Sequence, residues 1–177
     1  VISLSQNQSP ANGQMLWMDR AFDYWARSWN RTIVVAAGNM DCNLSDTSRE
    51  NCPDANLIKW LQSPANGWNV LAVGTYSHQQ NTMWQFSTWK NSSTDYGDHE
   101  KPEVVAPSTQ IHAISFSGEV LDPPPSGTSI AAPLVSGLAA LLMQQNSDLR
   151  VWPEAIKAII MASAFRNIDG PSGIPTG

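Results

Sequence analysis

The sequence is short of charge: ten basic and fifteen acidic side chains make up 14% of its 177 residues, against roughly 25% in an average soluble protein. Disorder driven by charge repulsion is thereby excluded. No basic run exceeds two residues and the net charge is −5. A surface that tracks phosphates has no support, and nucleic acid is not an expected partner. Long apolar runs are missing too. The longest, Ile130 to Met143, is fourteen residues and contains Pro133, Ser136 and Gly137, whereas a membrane-spanning helix needs about 20. It reads as a buried helix, and no membrane partner is expected. Cysteine is scarce: Cys42 and Cys52 share one polar loop, with neither a second pair nor a nearby histidine. That excludes a four-ligand zinc site built on them and leaves a local disulfide open. No basic start followed by an apolar core and a small-residue cleavage site opens the chain. It begins instead in a β-prone run, Val1-Ile2-Ser3-Leu4-Ser5, as a processed or truncated end would. The length suits one domain with a sizeable core.

What is present is an alternation of strand and helix patterns. After Val1 to Ser5, the Asn, Ser, Pro and Gly of Gln6 to Gly13 make a loop. From Gln14 to Asn30 the apolar residues Met15, Met18, Phe22, Trp25 and Trp29 recur at steps of three and four, with Asp19, Arg20, Asp23 and Arg27 between them. That spacing predicts an amphipathic helix. Thr32 to Ala37 is a continuous apolar run, the pattern of a parallel strand covered on both faces, and it stops at Gly38-Asn39. The polar segment Met40 to Asn69 has the length of a functional loop, with a short helical turn expected around Leu57 to Leu61. Further strands are expected in Asn69 to Tyr76, Met83 to Phe86, Val104-Val105 and Ile111 to Ser115. Prolines 123 to 125 stiffen the approach to Gly127. Thr128 to about Gln145 reads as a central helix, buried on nearly all faces. Pro153 and Glu154 open a last helix to about Ala164, packing through Ile156, Ile159 and Ile160. The alternation predicts an α/β three-layer sandwich around a mostly parallel twisted sheet, with ligands outside the carboxyl ends of the strands.

The most specific segment is Ser126-Gly127-Thr128-Ser129-Ile130-Ala131-Ala132-Pro133. Gly127 permits close backbone approach. Ser129 lies in a first helical turn, where unpaired N–H groups favour a developing anion, and Ala131 and Ala132 leave room around it. These are the needs of a nucleophilic serine. On a bare Gly-Thr-Ser, helix capping by Thr128 or Ser129 is the simpler account. The whole segment goes further, because it resembles the nucleophile motif Gly-Thr-Ser-x-Ala-x-Pro of the subtilisin-like serine proteases and matches it at every fixed place. Ala36-Ala37-Gly38-Asn39 is similar to the strand of that family ending Ala-Ala-Gly-Asn. Lys101 to Pro107 resembles its Lys-Pro-Asp-x-x-Ala-Pro-Gly stretch, with Ser108 where glycine is usual. The resemblance runs over nearly the whole chain in the right order.

The resemblance implies a subtilisin-like fold and peptide or protein substrates. It also implies Ser129 as the nucleophile and Asn39 as a side-chain donor to the oxyanion beside the Ser129 N–H. By itself Gly38-Asn39 is also turn chemistry. The family adds its substrate as a strand beside the segment matching Ser3, Leu4, Ser5, Gln6 and Asn7, and walls its primary pocket with that segment and with Ala36, Ala37 and Gly38. Here Gln6-Asn7 replaces the usual Leu-Gly, which is expected to narrow the groove, while Met40 hints at an apolar floor. Export is usual for such proteases, so a secreted or extracytoplasmic location and a Cys42–Cys52 bond are expected. Calcium is common among them, but no carboxylate cluster here has ligand spacing; no metal site is assigned and no other cofactor is expected.

The aspartate and histidine of the family's triad are not found. Its histidine stands before Gly-Thr, whereas His78, His99 and His112 are not followed by glycine and lie between Asn39 and Ser129. Each reads as a surface or strand-end histidine. The chain is therefore expected to be the C-terminal portion of one catalytic domain, 1–177, with Asp and His supplied by an N-terminal segment upstream or separate. The alternatives are an inactive fragment or pseudoprotease that binds peptides, and an interaction module using a sheet edge.

Overall fold

The computed structural model describes residues 1–8, 14–39, 60–79, 81–84, 86–89 and 101–165. Met40, Cys42, Cys52, His99 and most of the turn expected around Leu57 to Leu61 lie outside the described residues. In chain order the elements are β1 (Ile2–Leu4), α1 (Trp17–Ser28), β2 (Ile33–Ala36), β3 (Leu71–Ser77), β4 (Thr82–Met83), β5 (Val104–Pro107), α2 (Thr128–Gln145), a short 3-10 helix (Ser147–Val151) and α3 (Pro153–Ser163). β2 lies between β1 and β3, parallel to both, with Ile2 opposite Ile33 and Val34 opposite Leu71. β3 also pairs with β5 in parallel, Val73 opposite Val104, and with β4 antiparallel at its C-terminal end.

Alternation along β2 explains the layers. Val34 and Ala36 face one way, joining Leu71, Val73, Val104 and Ala106 against α2 and α3. Ile33, Val35 and Ala37 face the other way and pack toward α1 with Leu61, Ala65, Val70 and Ala72. A strand covered on both faces can be apolar throughout, and all four β2 residues are buried. This is the three-layer α/β arrangement expected from the sequence.

α1 is tied to the sheet by its acids as well as by its aromatic stripe. The buried Asp19 accepts hydrogen bonds from the Leu16 N–H at 2.7 Å and the Asn66 N–H at 3.1 Å. Burial raises its carboxyl pKa, against these two bonds. One turn on, Asp23 accepts from the N–H groups of Trp68 and Asn69 at 2.8 and 2.7 Å. The turn after Leu61 is thus fixed to a helix on one face of the sheet.

Two expectations fail. Ile111 to Ser115 is no sheet strand. Residues 113–121 fold back on themselves, Ser115 N–H donating to Glu119 O at 2.7 Å and Leu121 N–H to Ala113 O at 2.8 Å. Ile114, Phe116 and Val120 are 73%, 110% and 61% exposed, so the segment buries little apolar surface and is not held to the sheet by a covered face. α2 is also not buried all round. Ala131, Ala132, Val135, Ser136 and Ala139 pack inward, while Leu134, Leu138 and Leu141 are 47%, 43% and 62% exposed. By length and composition α2 could cross a membrane, but its small-residue face lies on the sheet as in a core helix. The 3-10 helix was not expected, and β4 is shorter than the run Met83 to Phe86.

Candidate active site

The site forms where the N-terminus of α2 meets the carboxyl ends of β1 and β2. Gly127 precedes the helix at φ +143°, a conformation that disfavours L side chains, and a Cβ there would sit 3.2 Å from both amide atoms of Asn39. The next residue, Thr128, is fully buried. Its N–H donates to Asn39 Oδ1 at 2.9 Å and its hydroxyl to the same oxygen at 3.2 Å. With Oδ1 taken twice, Nδ2 is the Asn39 atom left to donate elsewhere. Thr128 Oγ1 also accepts the Gly38 N–H at 3.2 Å, which joins the end of β2 to the first turn of α2.

Ser129 is the second residue of α2 and half-buried. An N–H in that position has no intrahelical acceptor and faces the positive end of the helix. Its carbonyl is released for a separate reason: the residue four positions on is Pro133, which has no N–H to give. That oxygen instead accepts the Ser5 hydroxyl at 3.2 Å, and the Ser129 hydroxyl donates to Ser5 O at 3.3 Å. Among the described residues no histidine bonds Ser129; His78 and His112 are exposed.

The flanking segments are held from several directions. Ser3 and Leu4 belong to β1; Ser5, Gln6 and Asn7 follow it, and Asn7 Nδ2 donates to Ala36 O at 2.6 Å. Ala36 and Ala37 are fully buried at the end of β2. Gly38 has φ +110°, and a Cβ on it would come within 2.5 Å of the Gln62 side chain. Gln62 Nε2 donates to Asn39 O at 3.0 Å. On another side Thr88 Oγ1 donates to Ala37 O at 2.7 Å, and its N–H donates to Gly38 O at 3.1 Å. Neither Gln62 nor Thr88 stands in a sequence motif that marks it. The double hold of Thr128 on Asn39 was hidden inside one.

A second polar cluster lies at the opposite end of β3. Glu103 pairs with Lys101 at 2.7 Å and Lys157 at 2.5 Å, and accepts the Ala72 N–H at 2.7 Å. Lys101 also donates to Val70 O at 3.2 Å. Burial pushes the Lys101 pKa down to about 8, with Glu103 opposing the shift. Among the described residues no three His, Cys, Asp or Glu side chains gather as a metal site.

The model of the Subtilase family, Peptidase_S8, matches residues 1–175. Serine protease AprX of Bacillus subtilis (strain 168) is 31% identical over 153 residues, covering 75% of this chain and 30% of that protein. Alkaline serine exoprotease A of Vibrio alginolyticus is 29% identical over 158 residues, covering 89% of this chain and 24% of that protein. Among solved structures, the prenylagaramide maturation protease PagA superposes with a TM-score of 0.69 at 28% identity, covering 94% of this chain and 52% of that one. The chain thus spans about half of that structure, and 30% and 24% of the two curated relatives.

Proposed function

The chain belongs to the subtilase family and has a subtilisin-like α/β fold, and from that premise we propose that it carries the nucleophile and oxyanion half of a serine endopeptidase site. The observation that carries this reading is the grip of Thr128 on Asn39 Oδ1, at 2.9 and 3.2 Å. It commits Oδ1 and leaves Nδ2 as the donor beside the first turn of α2, the turn that also carries the Ser129 hydroxyl and N–H. Ser129 Oγ attacks the scissile carbonyl carbon, and its proton passes to an imidazole. The carbonyl π electrons move to oxygen, and the resulting anion takes hydrogen bonds from Asn39 Nδ2 and Ser129 N–H. Collapse breaks the C–N bond, with the imidazolium proton going to the leaving amine, and water then hydrolyses the acyl-serine.

The aspartate and histidine belong, on this proposal, to a segment upstream of or separate from the chain. Two features support it. Leu134, Leu138 and Leu141 of α2 are exposed, and β1, next to Ser5 and Ser129, pairs only with β2 among the described residues. A competing reading, an inactive fragment or pseudoprotease that binds peptide, is favoured by the Ser129 hydroxyl resting on Ser5 O at 3.3 Å rather than on a base.

A serine-directed fluorophosphonate applied to the parent protein separates the two. Rapid labelling lost in Ser129→Ala is the expected result; no labelling supports the binding module. A Cys42–Cys52 bond is part of the proposal, as is the extracytoplasmic location in which such bonds persist; a closed polar loop of this size gains about 2–3 kcal/mol in the chain-entropy model. Thiol titration of the denatured, unreduced protein is expected to find no free thiol.

A further inference from the structure

Resting on the peptidase reading, we infer that the side chains of Asn7 and Gln62 fill the primary specificity pocket, so that the residue on the acyl side of the scissile bond must be small. On the peptidase reading an attacked carbonyl lies between Ser129 Oγ and the Asn39 amide, and we seat the side chain of its α-carbon between the two segments that flank the nucleophile. One is Ser5 to Asn7, tied to Ser129 by the reciprocal bonds of Ser5 at 3.2 and 3.3 Å. The other is Ala36 to Gly38, tied to Thr128 by the Gly38 N–H at 3.2 Å.

That gap is already occupied. Asn7 crosses it, its Nδ2 donating to Ala36 O on the facing wall at 2.6 Å. Gln62 is 7% exposed and lies flat against Gly38, where an added Cβ would meet its Cγ, Cδ and Oε1 at 2.5 Å. Its backbone N–H donates to Ala37 O at 2.9 Å and its side-chain amide to Asn39 O at 3.0 Å. The backbones that carry the two side chains are also tied together. Gln8 and Ser63 exchange two backbone hydrogen bonds of 2.9 Å, which lock the segment carrying Asn7 to the turn carrying Gln62. Asp19 in turn holds that turn on α1 through Asn66 N–H at 3.1 Å.

A bulky acyl-side residue would therefore have to expel an amide from its part-buried bond to a carbonyl. A hydrogen of glycine or the methyl of alanine would not. Rejection of this kind, with polar groups left unpaired, discriminates more strongly than a missing methylene does.

The test uses the parent protein, with the whole catalytic domain, and two peptidyl phosphonates that differ only in the side chain beside phosphorus, alanine or phenylalanine. A fluorophosphonate without a side chain reports the competence of Ser129 separately. The wild type is expected to react with the alanine probe about 100-fold faster than with the phenylalanine probe. Asn7→Gly and Gln62→Gly are each expected to move that ratio at least about tenfold toward phenylalanine. Equal rates in the wild type, or a ratio unmoved in both variants while the fluorophosphonate still labels, overturn the filled pocket and leave the peptidase reading standing. No fluorophosphonate labelling of the wild type overturns both. Should Gln62→Gly lose labelling through misfolding, the ratio in Asn7→Gly decides.

Discussion

Asn39 spends its carboxamide oxygen on Thr128 and keeps its nitrogen, and that asymmetry sets the expected signature of its loss. Leucine has a similar size and no donor, so Asn39→Leu is expected to lower kcat of the parent protease about 100- to 1,000-fold while leaving KM nearly unchanged, the magnitude being that found in subtilisin. Steady-state kinetics on one peptide checks it; an unchanged kcat makes Asn39 a turn residue. Thr128→Val keeps the N–H hold but loses both bonds of the hydroxyl, the one to Asn39 Oδ1 and the one from the Gly38 N–H, and is expected to lower kcat about five- to 100-fold, the worth of two ordinary hydrogen bonds. Ser129, Gly127 and Asn39 were legible because the needs of a nucleophile at a helix start are local in sequence. Gln62 and Thr88 were not. They reach Asn39 and Ala37 across 23 and 51 residues, and neither Gln nor Thr carries a local mark of such a role.

Between elements, the Glu103 cluster fastens the start of β3 to β5 and α3, since Lys157 also donates to Trp68 O at 2.9 Å and Val70 O at 3.0 Å. Glu103→Ala leaves the buried Lys101 without its carboxylate and facing the half-buried Lys157, and is expected to cost about 3–5 kcal/mol in denaturant unfolding. Lys101 gives the cluster a pH dependence. Its folded pKa is about 8 against 10.5 in the unfolded chain. Between these values the unfolded state holds more protons, so stability from this group rises with pH; below about pH 8 the cost of burying its charge is felt in full. The groups acting on it are Glu103, Lys157 and Asp23. Wild type is therefore expected to gain about 2–3 kcal/mol relative to Lys101→Met between pH 7.5 and 10.5, and a flat difference removes the argument. β2 and β3 could be read as apolar runs, and α1 from its period. α2 was expected to be buried all round because hydrophobicity reports what a face could bury, not whether a neighbour covers it. The same blindness turned Ile111 to Ser115 into a strand.

For the molecule as a whole, the edge of β1 that no strand covers among the described residues leads into Ser5, which is bonded to Ser129, and the helix that carries Ser129 leaves Leu134, Leu138 and Leu141 exposed. A serine without a general base has the reactivity of an ordinary alcohol. Helix terminus and oxyanion donors together leave only about 10³- to 10⁴-fold over water when the triad is disabled, as measured in subtilisin. The 177 residues by themselves are therefore expected to react slowly with a fluorophosphonate, and the same residues within the parent protein, or supplied with the Asp/His segment as a separate chain, to react rapidly. The segment is expected to displace the Ser129 hydroxyl from Ser5 O, where it lies at 3.3 Å, by offering an imidazole as the better acceptor. Mass mapping of the labelled peptide, with Ser129→Ala as control, locates the reaction. Rapid labelling of the bare chain at Ser129 overturns this account, because it demands a base among His78, His99 and His112, and the two of these that are described are exposed and make no bond to the serine.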